Sequence, residues 1–285
     1  MSTSTEVPVV RSWPLLGWGI SDGLVVARRN LLQTVRVPEL LFFSLVQPVI
    51  FVLMFAYVFG GAIPVPGASG GAEAYREFLI PGIFGQTVAF AAAASTVGIA
   101  EDMSKGIIDR FRSLPMRTSA VLFGRTVADA ARMILVLTVL SITGLIVGWR
   151  INDGFVRAVA AYALLLLFAY TVAWVGAWIG MYMRNTETAN TAGLVWLFPL
   201  TFISNAFVPL QTMPAFLQHF AAWNPLSSLV LSCRNLFGNA SGQTPGADDY
   251  WSLQHPEAWT VISCAIVLAV FVPLAVRRYR RANYR

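Results

Sequence analysis

Charge is what this sequence has least of. Only 12% of its 285 residues are Asp, Glu, Lys or Arg, about half of the roughly 25% found in soluble domains. A water-soluble globule of this size cannot be given a charged shell from that supply. A disordered chain is excluded from the other side, because 56% of the residues are hydrophobic and 13% aromatic, whereas disordered segments are poor in both. An integral membrane protein remains.

Three scarcities narrow the chemistry. Two cysteines, Cys233 and Cys264, are too few for a disulfide framework or a metal site. Two histidines, His219 and His255, have no metal spacing, and no His-Glu-x-x-His run occurs. Lysine is almost absent: Lys105 stands alone, between Ser104 and Gly106. A phosphate-binding loop needs Gly-Lys-Ser/Thr at the end of a glycine-rich turn, so ATP binding has to come from another polypeptide. Asp248-Asp249 lacks the further acids that a magnesium site would use. Residues 1–12 are polar and no short apolar core follows them, so no signal peptide is expected. With no nucleotide-binding or catalytic motif, the chain is not expected to be an enzyme; nor is it expected to bind nucleic acid, because its arginines lie between apolar stretches rather than in one stripe.

Long apolar stretches are what the sequence does have. A spanning helix needs about 20 mostly apolar residues, and six stretches qualify: 40–60, 78–100, 128–148, 156–183, 189–208 and 258–276. The expectation is an all-α membrane protein with six transmembrane helices. Sixteen of the twenty basic residues then fall on one face, including six between Lys105 and Arg132 and five in the tail. Basic residues stay on the cytoplasmic side, so both termini are expected in the cytoplasm. Residues 1–20 form a polar tail. Between Ser21 and Val37, Leu24, Val25, Leu31, Leu32 and Val35 recur at helical spacing, which predicts an amphipathic helix lying in the inner interface.

In residues 209–232, Pro209, Pro214 and Pro225 interrupt an otherwise apolar run. A broken, re-entrant helix pair in the outer leaflet is expected there, carrying Met213 and Asn224, followed by an outer loop over 233–257. Asp129 has Arg125 at i−4 and Arg132 at i+3, and the expectation is a neutralised cluster on one helix face rather than a buried ion-coupling acid. Gln47, Gln86, Thr87, Thr201, Ser204 and Asn205 are uncharged polar residues at depth. They suit either a lining for an amphiphilic cargo or hydrogen bonds between helices, worth about 0.6 kcal/mol each. The aromatics Phe51, Phe55, Tyr57, Phe84 and Phe90 fit lining or lipid equally. Gly176-Ala-Trp-Ile-Gly180 has spacing for close helix contact, within the chain or in a dimer.

The stretch after the second span, residues 101–117, reads Glu-Asp-Met-Ser-Lys-Gly-Ile-Ile-Asp-Arg-Phe-Arg-Ser-Leu-Pro-Met-Arg. Glu-x4-Gly, then arginines, then Leu-Pro, resembles the loop between spans two and three of ABC-2 type transporter permeases. The sequence around Pro209, Met213-Pro214 and Asn224-Pro225-Leu226 is similar to the same family, nearest its daunorubicin/doxorubicin-resistance exporter permeases from actinobacteria. The resemblance covers nearly the whole chain. It implies that residues 21–37 are an elbow helix and that 101–117 are a coupling loop seated in an ATPase subunit, with Glu101, Gly106, Arg110, Arg112, Leu114 and Pro115 as its functional residues. It further implies two ATPase copies using ATP and Mg²⁺, a second permease chain in a homo- or heterodimer, and a place in the bacterial cell membrane. The expected function is export of a hydrophobic or amphiphilic drug-like molecule or lipid by alternating access. A lipid-linked glycan or polysaccharide cargo, or an ion-coupled secondary transporter, are the alternatives.

Overall fold

The computed structural model describes residues 27–28, 38–58, 71–106, 118–239 and 250–281. Every regular element among them is helical and none is a strand. In chain order they are α1 (Pro38–Val58), α2 (Ala72–Ser104), α3 (Thr118–Val147), α4 (Phe155–Gly180), α5 (Thr186–Val195), α6 (Leu197–Phe202), a 3-10 turn (Leu210–Thr212), α7 (Ala215–Trp223), α8 (Pro225–Phe237), α9 (Trp251–Gln254) and α10 (Pro256–Arg281). Four of them, α2, α3, α4 and α10, are long and apolar enough to cross a membrane; α1 contributes a shorter apolar stretch, Leu45–Val58.

Helix α2 is the axis of the bundle. Its 33 residues extend about 50 Å at 1.5 Å per residue, and α4, α5, α8, α1 and α3 all pack on it. Small residues set its closest approaches. Gly176 of α4 lies against the Ala92 carbonyl, where a Cβ would collide, and one at Gly180 would stand 2.5 Å from the Thr96 carbonyl oxygen. The Gly176–Gly180 pair therefore makes a contact within the chain. Gly193 of α5 packs on Ala93 in the same way. Tyr75, Phe84, Trp149, Leu165 and Phe237 fill the core near the α2 N-terminus, and the Phe84 and Phe237 rings meet Trp149 edge-on at 5.5 and 5.1 Å. By contrast Ile134, Ile142 and Ile146 of α3, and Ile262, Ile266 and Val270 of α10, point outward, as a lipid-facing surface does.

The boundaries differ from the sequence expectation in three places. The expected span 189–208 is interrupted: α5 ends at Val195, Trp196 is a turn, and α6 lasts only six residues. Pro199 accounts for the break, because it has no N–H for the Val195 carbonyl and its ring crowds that turn. The expected break within 209–232 takes the form of the 3-10 turn, α7 and α8, with Pro214 and Pro225 each immediately before or at a helix start. Helix α8 runs on to Phe237 and stops at Gly238, whose φ of 74° is left-handed. The expected outer loop thus begins later than 233, and its residues 240–249 lie outside the described residues. The expected elbow helix, 21–37, lies outside them too, save for Ala27 and Arg28.

Candidate functional site

Polar side chains gather at the two ends of α2. At its C-terminus the Lys105 N–H caps the helix on the Glu101 carbonyl at 3.0 Å, and Gly106 turns the chain away at φ 63°. The Lys105 ammonium donates to Glu101 Oε1 at 2.5 Å, and that carboxylate holds it above the ordinary lysine range. The pair is exposed. One residue away, Asp102 accepts from Arg125 of α3. Gly98 makes room for that arginine, since a Cβ there would strike the guanidinium. Ser95 donates its hydroxyl to Asp129 Oδ2 at 2.6 Å, while Arg132 lies 3.6 Å from Oδ1.

The expected cluster on one face of α3 is therefore corrected. Asp129 keeps Arg132 but not Arg125, which reaches across to Asp102 on α2. Two α2–α3 ties replace one intrahelical group, because Asp102 on the last turn of α2 meets Arg125 while Asp129 of α3 meets Ser95 of α2. Glu101 and Gly106 are described at this end; Arg110, Arg112, Leu114 and Pro115 lie outside the described residues.

The opposite end of α2 meets α8 and the irregular backbone after α6. Arg234 of α8 is buried; its Nε donates to the Phe78 carbonyl at 2.9 Å and its Nη2 to the Asn205 and Ala206 carbonyls at 2.9 and 3.2 Å. Its guanidinium carbon stands 3.5 Å from the centre of the Phe78 ring. Asn224 caps α8 by accepting from the Leu226 N–H at 2.9 Å, and its amide donates to the Leu200 and Ile203 carbonyls at 2.7 and 2.6 Å. The Asn205 N–H donates to Ser227 Oγ at 3.2 Å. Gln218 of α7 donates to the Met213 carbonyl at 2.8 Å. The bonds to Leu200, Ile203, Asn205 and Ala206 satisfy carbonyls of the irregular backbone at and after the end of α6.

The remaining sequence-predicted polar residues scatter. Gln47 is exposed on α1, and Gln86 and Thr87 are half-buried on α2. Thr201 and Ser204 are buried and donate to the Leu197 and Thr201 carbonyls of their own turns at 2.8 and 2.6 Å. Pro209 is buried and Met213 half-buried. Phe84 belongs to the core, whereas Phe51, Phe55, Phe207, Phe202, Phe198 and Phe90 form a continuous chain of ring contacts joining α1, α6 and α2, with centroids 5.2 to 6.3 Å apart. Phe198 and Phe202 are exposed within it.

Arg234 is the residue that sequence reasoning missed. It counts there only as one of four basic residues on the minority side. The available signal was its position ten residues after Asn224, on a helix whose cap and Pro225 are legible.

Residues 23–237 match the family described as ABC-2 type transporter. A daunorubicin resistance ABC transporter permease protein from Streptomyces coeruleorubidus is 31% identical over 270 residues, 95% of this chain and 90% of that protein. A probable doxorubicin resistance ABC transporter permease protein from Mycobacterium tuberculosis is 24% identical over 242 residues, covering 84% and 81%. A putative transport permease from Cyanophora paradoxa is 22% identical over 224 residues, covering 78% and 76%.

Proposed function

The chain belongs to the ABC-2 type transporter family as a permease working with an ABC ATPase, and from that premise we propose that it exports a hydrophobic or amphiphilic drug-like molecule or lipid. The observation that carries this reading is the 31% identity to a daunorubicin resistance permease along 95% of the chain. In the proposed transporter two ATPase copies serve two permease chains, and ATP with Mg²⁺ is used in the ATPases while this chain binds neither.

The proposed topology has six spans, with both termini in the cytoplasm of a bacterial cell. They are α1, α2, α3, α4, the interrupted α5–α6 and α10. Residues 21–37 are the elbow helix, and α7–α8 are the re-entrant pair closing the outer end. Residues 101–117 are the coupling loop, where Arg110 and Arg112 offer planar guanidinium groups to ATPase carboxylates. ATP-driven closure pushes this loop and rocks α2. The cargo passes beside Gln47, Gln86, Thr87 and the phenylalanine chain, toward Thr201, Ser204 and Asn205.

The test is efflux of daunorubicin, as the probe, from cells expressing this chain with and without a cognate ABC ATPase. Export that needs the ATPase and survives a protonophore supports the reading. Export that persists without the ATPase and collapses with the protonophore overturns it in favour of ion coupling.

A further inference from the structure

Arg234 is a charge that neither ATPase docking nor the cargo path employs. Only 4% of it is exposed, and no carboxylate pairs with it among the described residues. Ionisable groups at such depth are costly and usually have a task beyond filling space. Its hydrogen bonds show what the task can be. They join two elements far apart in sequence: Phe78 in α2, and Asn205 with Ala206 in the broken segment that follows α6. Gly82 of α2 adds a second contact at the same point, lying so close to the Ala206 carbonyl that a Cβ would collide with it. These two contacts bracket Pro81, the residue inside α2 where the helical ladder loses an N–H. The weak point of the helix is thus held on both sides.

The other end of α2 carries Glu101 and Lys105. Between the ends, Gly176, Gly180 and Gly193 seat α4 and α5 directly on the α2 backbone. A long helix so clamped moves as a unit with its partners. We propose that Arg234 is a positioning residue that makes the α7–α8 cap follow α2, so that displacement of the Glu101 end opens the opposite end. The proposal rests on the coupling-loop reading above. Arg234 touches no cargo in this scheme; it acts through the Phe78, Asn205 and Ala206 carbonyls.

The test uses the full chain with its ATPase in vesicles, measuring ATP hydrolysis and transport of daunorubicin, as the probe, on the same preparation. Arg234→Gln, which loses the charge and the fork of donors, is expected to keep hydrolysis within about twofold while transport per ATP falls at least tenfold. Arg234→Lys, a point charge without the fork, should fall between the two. Gly82→Ala attacks the same junction from α2 with Arg234 intact and should also lower transport per ATP severalfold. A residue that merely supports folding would reduce the amount of complex, or both activities in proportion, and leave the ratio alone. An unchanged ratio in Arg234→Gln and Gly82→Ala overturns the proposal, as does failure of Arg234→Lys to assemble at all. If the wild-type complex shows no ATP-dependent transport, the export reading itself falls, which separates that outcome from failure of the clamp alone.

Discussion

Ser95 donates its hydroxyl to Asp129 at 2.6 Å across the α2–α3 contact. This places a carboxylate in a partly buried position where an ion-coupled transporter would want one. Yet Arg132 lies 3.6 Å away, so the charge is answered locally. Asp129→Asn is expected to leave export within about twofold, with no new pH dependence. It should still lower stability by about 1.5–3 kcal/mol, the range for a hydrogen bond to a charged group, read as the thermal midpoint in detergent. Abolished export with an intact thermal midpoint would restore Asp129 as a coupling acid.

Asn224 makes a sharper prediction, because it has two tasks with opposite requirements. As the cap of α8 it accepts from the Leu226 N–H, and as a bridge it donates to the Leu200 and Ile203 carbonyls. At an isolated cap aspartate equals asparagine, and alanine costs about 1 kcal/mol. Here aspartate would keep the cap and turn an anion toward two carbonyls. Asn224→Asp is therefore expected to be less stable than Asn224→Ala, which loses the cap and the donors but adds no repulsion. The thermal midpoints of the two variants decide; the reverse order would mean that the bridge contributes little.

Gly176 gives a prediction about packing. A methyl there meets the Ala92 carbonyl and the Thr96 hydroxyl, and overpacking typically costs about 1–3 kcal/mol. Gly176→Ala is expected to lower the thermal midpoint without changing the oligomeric state seen by light scattering. A change from dimer to monomer at unchanged stability would move this glycine face to an interface between chains.

The sequence and structure agree best where hydrophobic length decides. The stretches 78–100, 128–148, 156–183 and 258–276 lie within or largely overlap α2, α3, α4 and α10, because about 20 apolar residues have few other stable homes. Composition read the 189–208 stretch as equally apolar, and Pro199 at its middle gave the only hint of the break. The α2–α3 ties were partly legible: i and i+3 spacing finds Arg132 for Asp129, but nothing in local spacing says that Arg125 will turn to Asp102, 23 residues earlier. Arg234 was illegible for the same reason. Its partners are backbone carbonyls 28, 29 and 156 residues away, and carbonyls carry no residue identity.

The last prediction separates a mechanical loop from a charge that only orients the chain. Residues 101–117 carry four basic residues, Lys105, Arg110, Arg112 and Arg117, and such a run holds a loop in the cytoplasm whatever else it does. Glu101 and Lys105 are paired and exposed at the end of α2, an arrangement worth little to stability in water. In the proposed six-span topology, replacing Arg110 and Arg112 with alanine leaves fourteen of the eighteen remaining basic residues on the same side, so orientation should hold. A cysteine at Ser104 should then be labelled from the cytoplasmic side alone, in the variant as in the parent. Export should nevertheless fall, because truncating one side of a buried charge pair at an interface costs about 2–5 kcal/mol. Glu101→Ala should act likewise, either by releasing the ATPase or by letting it turn over without transport. Copurification of the ATPase with the permease tells these apart. Wild-type export by the Arg110→Ala, Arg112→Ala double variant, with its orientation unchanged, would leave the loop as an anchor and remove the push on which the rocking of α2 depends.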